Sequence, residues 1–79
     1  MNWNRYSIDN TPDSFKLTYW IMDDGVSLIT YRICVSGIYH KQNHELEFLP
    51  KLIEGNKSIL DASDLIKRKA FWSYPIDLL

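Results

Sequence analysis

Two histidines, His40 and His44, stand four residues apart, with Glu45 and Glu47 close behind. On a helix that spacing would turn both imidazoles to one side, as a zinc pair requires. The order between them, His-Lys-Gln-Asn-His, lacks the glutamate of the HExxH motif, and the flanking residues do not read as a helix. A loop could gather both imidazoles and a carboxylate, but no spacing demands it. Solvated loop histidines are the expectation, and no metal site is assigned. The other chemistry open to them is proton transfer or pH sensing.

Cys34 is the single cysteine. A nucleophilic thiol needs a neighbouring base or a positive environment, and Arg32 lies two residues away on the same strand face. A strand interior instead holds the thiol against its cross-strand neighbours, so Cys34 is expected to be inert. None of the serines sits in a Gly-x-Ser-x-Gly elbow. Asp23-Asp24 could contribute to a divalent-cation site, but the oxygen-ligand spacing of a calcium loop is missing, and a turn already explains Asp24-Gly25. The three glycines, at 25, 37 and 55, make no phosphate-binding loop, which sets aside P-loop and dinucleotide-binding enzymes. No catalytic or cofactor-binding residue is assigned, and the expectation is a protein without catalysis.

The elements that would position these groups form a single domain over 1–79, because either half alone would be too small to bury a core. Scaling relations give roughly 63% of the unfolded surface buried. Residues 9–14 read as a turn. In 15–22, Phe15, Leu17, Tyr19 and Ile21 share one face, with Lys16, Thr18, Trp20 and Met22 on the other. The first set is taken as the inner face. Asp24-Gly25 then marks a tight hairpin into a second alternating run, 26–39, in which Ile29, Tyr31, Ile33 and Val35 face inward. Ser36-Gly37 suggests a bulge. Glu45–Leu49 is a third strand ending at Pro50, and 51–57 is either a short helix or a further hairpin.

A helix is expected over about 61–71. Asp61 and Asp64 suit its N-terminus, Ala62, Leu65, Ile66 and Ala70 form its apolar stripe, and Lys67-Arg68-Lys69 fill its last turn. The tail 71–79, rich in large apolar residues, should be ordered on the domain or on a partner, and Pro75 makes it extended. The predicted fold is therefore α+β, a small antiparallel sheet of three or four strands with one C-terminal helix packed on its apolar face.

Nine basic and ten acidic residues leave a net charge of -1, without the basic excess of most nucleic-acid binders. One cysteine excludes an internal disulfide and favours a reducing, cytoplasmic setting. The N-terminal residues have no apolar run suited to a signal peptide, and no stretch approaches a membrane span. Aromatic residues make up 14% of the chain, which is ample for both a core and an interface. Trp20, Arg32, Trp72 and Tyr74 are the candidate interaction residues. The functional expectation is a protein-interaction or regulatory protein, inhibitor-like in one form, acting through a sheet edge or an exposed aromatic patch. Its partner would be another protein or a second copy in a dimer. A single-stranded nucleic-acid binder using sheet aromatics is the alternative, and a small metal-dependent hydrolase comes third. Membrane binding is not expected. Metal depletion should leave the melting temperature unchanged; a large drop that zinc restores and His40→Ala reproduces would contradict this reading.

Overall fold

The computed structural model describes residues 2–26, 29, 31–49 and 59–75. Among them the chain forms β1 (Asn4–Arg5), β2 (Leu17–Asp23), β3 (Arg32–His40), β4 (Glu45–Leu49), β5 (Ile59–Asp61), α1 (Ala62–Lys67) and β6 (Phe71–Ser73). All six strands pair antiparallel in one sheet of order β1-β6-β2-β3-β4-β5. No helix among the described residues is long and apolar enough to cross a membrane.

This corrects the expected three- or four-stranded sheet with a packed C-terminal helix. Among the described residues the protein is mostly sheet with one short helix. β1 and β5 have two and three residues, too few for alternation to show in the sequence. β6 lies inside the expected helix and tail. The helix starts where expected, because the Asp61 carboxylate accepts the Asp64 N–H at 2.9 Å while the Asp64 carboxylate accepts the Asp61 N–H. It stops early. Lys69 adopts a left-handed φ of 52°, its N–H bonds to the Ile66 carbonyl, and the Ala70 N–H bonds to the Leu65 carbonyl. These two bonds close the helix as a Schellman motif with lysine where glycine is usual. Leu65 is the one buried residue of α1, and Ile66 is 53% exposed. Phe71 and Trp72, both suited to strands, then pair with Ile21 and Trp20.

Register decides which face is core. Trp20 opposes Val35 and Trp72, and Met22 opposes Ile33, so these side chains share one side of the sheet. Thr18, Trp20, Met22, Tyr39, Leu46, Phe48, Leu60 and Trp72 are buried there, under Tyr6, Leu65 and Ala70. The expected inner set on β2 is therefore reversed, although Ile33 and Val35 do pack on the core. Both faces of β2 carry large side chains, so alternation alone leaves the phase open. Burying Trp20 requires a partner for its indole N–H. Thr18 Oγ1 accepts it at 2.8 Å, and the Thr18 hydroxyl in turn donates to the Gly37 carbonyl at 3.0 Å. That chain of bonds is available only on the even-numbered face.

Two further expectations change. β2 and β3 are joined by residues 24–31 rather than by a two-residue Asp-Gly turn, and Val26, Ile29 and Tyr31 are exposed. Gly25 still takes φ 81°, and Asp24 accepts the Val26 N–H. No bulge occurs at Ser36-Gly37, where the ladder to β2 runs unbroken. Gly37 is needed for space, since a Cβ there would lie 2.5 Å from the Glu47 carbonyl oxygen and 2.8 Å from Leu46 Cδ1. The alternative structures for 51–57 fall outside the described residues.

Urea denaturation should show Trp20→Ala costing about 3–5 kcal/mol and Gly37→Ala about 1–3 kcal/mol, against about 0.5 kcal/mol or less for Tyr31→Ala. A Tyr31→Ala curve displaced as far as that of Trp20→Ala would contradict the face assignment.

Candidate functional site

The face of the sheet opposite the core is built by the odd-numbered residues of β2 and their cross-strand partners. Arg5, Phe71, Ile21 and Cys34 lie level across β1, β6, β2 and β3. The next row is Ser73, Tyr19, Ser36 and Leu49, followed by Leu17, Ile38, Glu47 and Ile59. His40, Glu45 and Asp61 end the face on one side, and Asp23 and Arg32 on the other. Leu17 is 45% exposed, Leu49 37% and Ile59 43%, and Cys34 is an exposed free thiol. Tyr19, Ile21, Ile38 and Phe71 are half-buried. Helix α1 lies over the other face, against the core.

The ends of this face differ in charge. At one end the Arg32 guanidinium donates to Asp23 Oδ1 at 3.0 Å and to the Lys69 carbonyl at 3.3 Å. The guanidinium carbons of Arg32 and Arg5 lie 5.6 Å and 5.9 Å from the centre of the Phe71 ring. Such contacts hold long cationic side chains against an apolar patch. At the other end stand Glu45 and Glu47, with His40 Nε2 3.2 Å from Glu47 Oε1. Phe15 meets the His40 ring edge-on at 5.5 Å. It takes a left-handed φ of 66°, which costs about 1–2 kcal/mol for a residue other than glycine, and its N–H bonds to the Tyr39 carbonyl. A half-open cleft of about 320 Å³, lined by Ser14, Phe15, His40, Lys41, Gln42 and Asn43, sits at this end.

The His40–Glu47 pair is the nearest approach to catalytic geometry. Among the described residues no hydroxyl or thiol is hydrogen-bonded to His40, and Ser14 Oγ accepts the Lys41 N–H at 2.8 Å. His44 faces Tyr39 instead, with Nδ1 3.4 Å from the phenol oxygen. The described residues include no group of three or more His, Cys, Asp or Glu side chains placed to hold a metal.

The four candidate interaction residues fall in different places. Trp20 and Trp72 are core residues, 0% and 5% exposed, and take no part in the surface. Arg32 lies on the open face. Tyr74 is 38% exposed beside the 13–16 turn, where its hydroxyl accepts the Asp13 N–H at 2.9 Å. The structure does not bring Arg32 and Tyr74 together. Arg5, Tyr19, Ile21, Ile38 and Phe71 went unrecognised as surface. The available signal was a β2 whose two faces are both rich in large side chains, as a strand has when the second face also meets something.

Inside the core, the Tyr6 and Tyr39 hydroxyls share a hydrogen bond of 2.6 Å. Burial raises both phenols above the ordinary tyrosine value, and for Tyr39 the bond to Tyr6 raises it further. The unfolded chain therefore loses these protons at lower pH than the folded one. Stability should hold up to about pH 10 and fall as pH rises beyond it. Tyr39→Phe should flatten that alkaline slope in pH-dependent melting; an equally steep slope would remove Tyr39 as its source.

Compared with known proteins, the chain matches no family model, no curated protein and no solved structure.

Proposed function

We propose that this protein is a non-catalytic protein-interaction module that binds through the open face of its sheet. The observation that carries the reading is the contiguous apolar patch Leu17, Tyr19, Ile21, Cys34, Ile38 and Phe71, part-exposed on the face opposite the core. A sheet is stable when its apolar face is buried against a second layer, and among the described elements the helix and Tyr6 cover only the core face. Apolar patches rimmed by polar residues characterise protein-binding surfaces. An exposed free thiol at Cys34 suits a reducing compartment such as the cytoplasm.

Single-strand nucleic-acid binding is the second reading, favoured by Tyr19 and Phe71 lying beside Arg5 and Arg32 on one sheet face. It ranks lower because both guanidiniums already contact the Phe71 ring and Arg32 is paired with Asp23.

Capture from native cells with wild type, Ile21→Lys and Ile38→Lys tests the reading, with the helix-surface variant Ile66→Lys as control. A protein partner retained by Ile66→Lys and lost by both face variants, each shown to be folded by its melting curve, is the expected result. Partners retained by both face variants would contradict the proposal. Saturable, salt-dependent binding of short single strands that Arg5→Ala weakens would favour the second reading.

A further inference from the structure

We infer that the end of the sheet carrying the β2–β3 connection docks on the surface of a lipid bilayer containing anionic phospholipid, with Val26 and Ile29 entering the interface and Lys67, Arg68 and Lys69 held at the headgroups. This surface lies at the end of the strands, and the inference does not depend on the reading of the open face.

The connection 24–31 leaves Val26 86%, Ile29 71% and Tyr31 60% exposed. Its root is fixed by hydrogen bonds. The Asp24 N–H donates to the Tyr31 carbonyl at 2.9 Å, and Asp24 Oδ1 accepts the Val26 N–H at 3.1 Å. Arg68 Nη1 donates to the Asp24 carbonyl at 2.9 Å, while the Arg68 carbonyl accepts the Asp23 N–H at 2.8 Å. The apolar side chains therefore stand clear of a closed and anchored root. At 86% and 71% exposure they have little of the protein on any side. A flat partner surface would cover one side of such a group, whereas the apolar part of a bilayer interface surrounds it. Tyr31, with an apolar ring and a polar tip, suits the boundary itself.

The same bonds set the depth of the charges. Arg68 is tied to Asp23 and Asp24, and Arg32 bonds to the Lys69 carbonyl at 3.3 Å, so the cations stand level with the root and the apolar residues lie beyond them. A bilayer entered tip first presents the matching order, anionic headgroups around the root and hydrocarbon at the tip. The Asp23 and Asp24 carboxylates offset part of the positive charge, the first paired with Arg32 at 3.0 Å. Lys67 and Lys69 form no ion pair among the described residues. Glu45 and Asp61 stand beside His40 at the opposite end of the strands, away from the docking end. No described helix can cross a bilayer, so the contact is peripheral. The sequence pattern hides this surface, because a two-residue Asp-Gly turn would place Val26 and Ile29 within a strand.

Co-sedimentation of the full chain with vesicles of phosphatidylcholine, alone or mixed with phosphatidylserine, tests the inference at low salt. Each Lys or Arg near an anionic surface contributes roughly fivefold, so the mixed vesicles should bind at least about tenfold more tightly. The double variants Val26→Asp/Ile29→Asp and Lys67→Glu/Lys69→Glu should each lose about tenfold or more, while the open-face variant Ile38→Lys binds as wild type. Melting curves of the variants separate lost binding from lost folding. Independently of those variants, Val26→Trp should be quenched by phospholipid brominated in its acyl chains. The inference is overturned if the mixed vesicles do not bind, if neutral vesicles bind equally well, if folded Val26→Asp/Ile29→Asp binds as wild type, or if acyl-chain bromine leaves Val26→Trp unquenched. A captured protein lost by Val26→Asp/Ile29→Asp, without vesicle binding by wild type, would overturn it in favour of an acidic protein partner.

Discussion

Three residues decide whether this sheet exists as one object. β6 carries Trp72, whose backbone pairs with Trp20 on one side and Asn4 on the other, so the ladder β1-β6-β2 closes only when Phe71–Ser73 is in place. Without it, β1 would have no strand to join among the described residues. Tyr6, whose N–H bonds to the Ala70 carbonyl just before β6, would lose its anchor above the core. Tyr6 packs on Trp20 and Tyr39 with ring centres 5.7 Å away in both cases. The short strand thus fixes the sheet's width and closes the aromatic part of its core.

From that constraint follows the difference between the faces. Tyr6, the short helix and the approach to β6 all lie on the side of Trp20, and there the polar groups are matched, from the Trp20–Thr18–Gly37 bonds to the tyrosine pair. No buried side-chain nitrogen or oxygen among the described residues lacks a partner. The opposite face receives no such cover from these elements. Arg5 and Arg32 are held against Phe71, with Asp23 paired to Arg32, and Glu45 and Glu47 stand at the His40 end, so an apolar centre lies between two charged ends.

Much of the backbone was legible in the residues. β4 occupies Glu45–Leu49 as its alternation indicates, and the Asp61–Asp64 pair marks the helix start through a reciprocal cap. The face of β2 was not legible, because Leu17, Tyr19 and Ile21 are as apolar as Trp20 and Met22. The deciding factor is a hydrogen bond from Trp20 to Thr18 that no pattern of hydrophobicity records. The end of the helix misled for a related reason. Ala62, Leu65, Ile66 and Ala70 have helical spacing, yet Lys69 turns the chain left-handed and converts the next residues into a strand. Arg32 was visible as a surface residue, whereas Arg5 and Phe71 acquire meaning only through pairing between distant parts of the chain.

The pairing of Asn4 with Trp72 also has a kinetic consequence. Contacts that join residues separated by nearly the whole described chain incur the loop-closure entropy before they return any stabilisation. The β2–β3–β4 meander, made from neighbouring segments, can form beforehand, while β6 and then β1 must find their places late. Until they do, the edge of β2 beside Trp20 remains an open ladder, able to accept a strand from another molecule. The interval before β6 docks is therefore when this chain is most exposed to domain exchange and aggregation, and its length is set by topology rather than by the strength of the finished core.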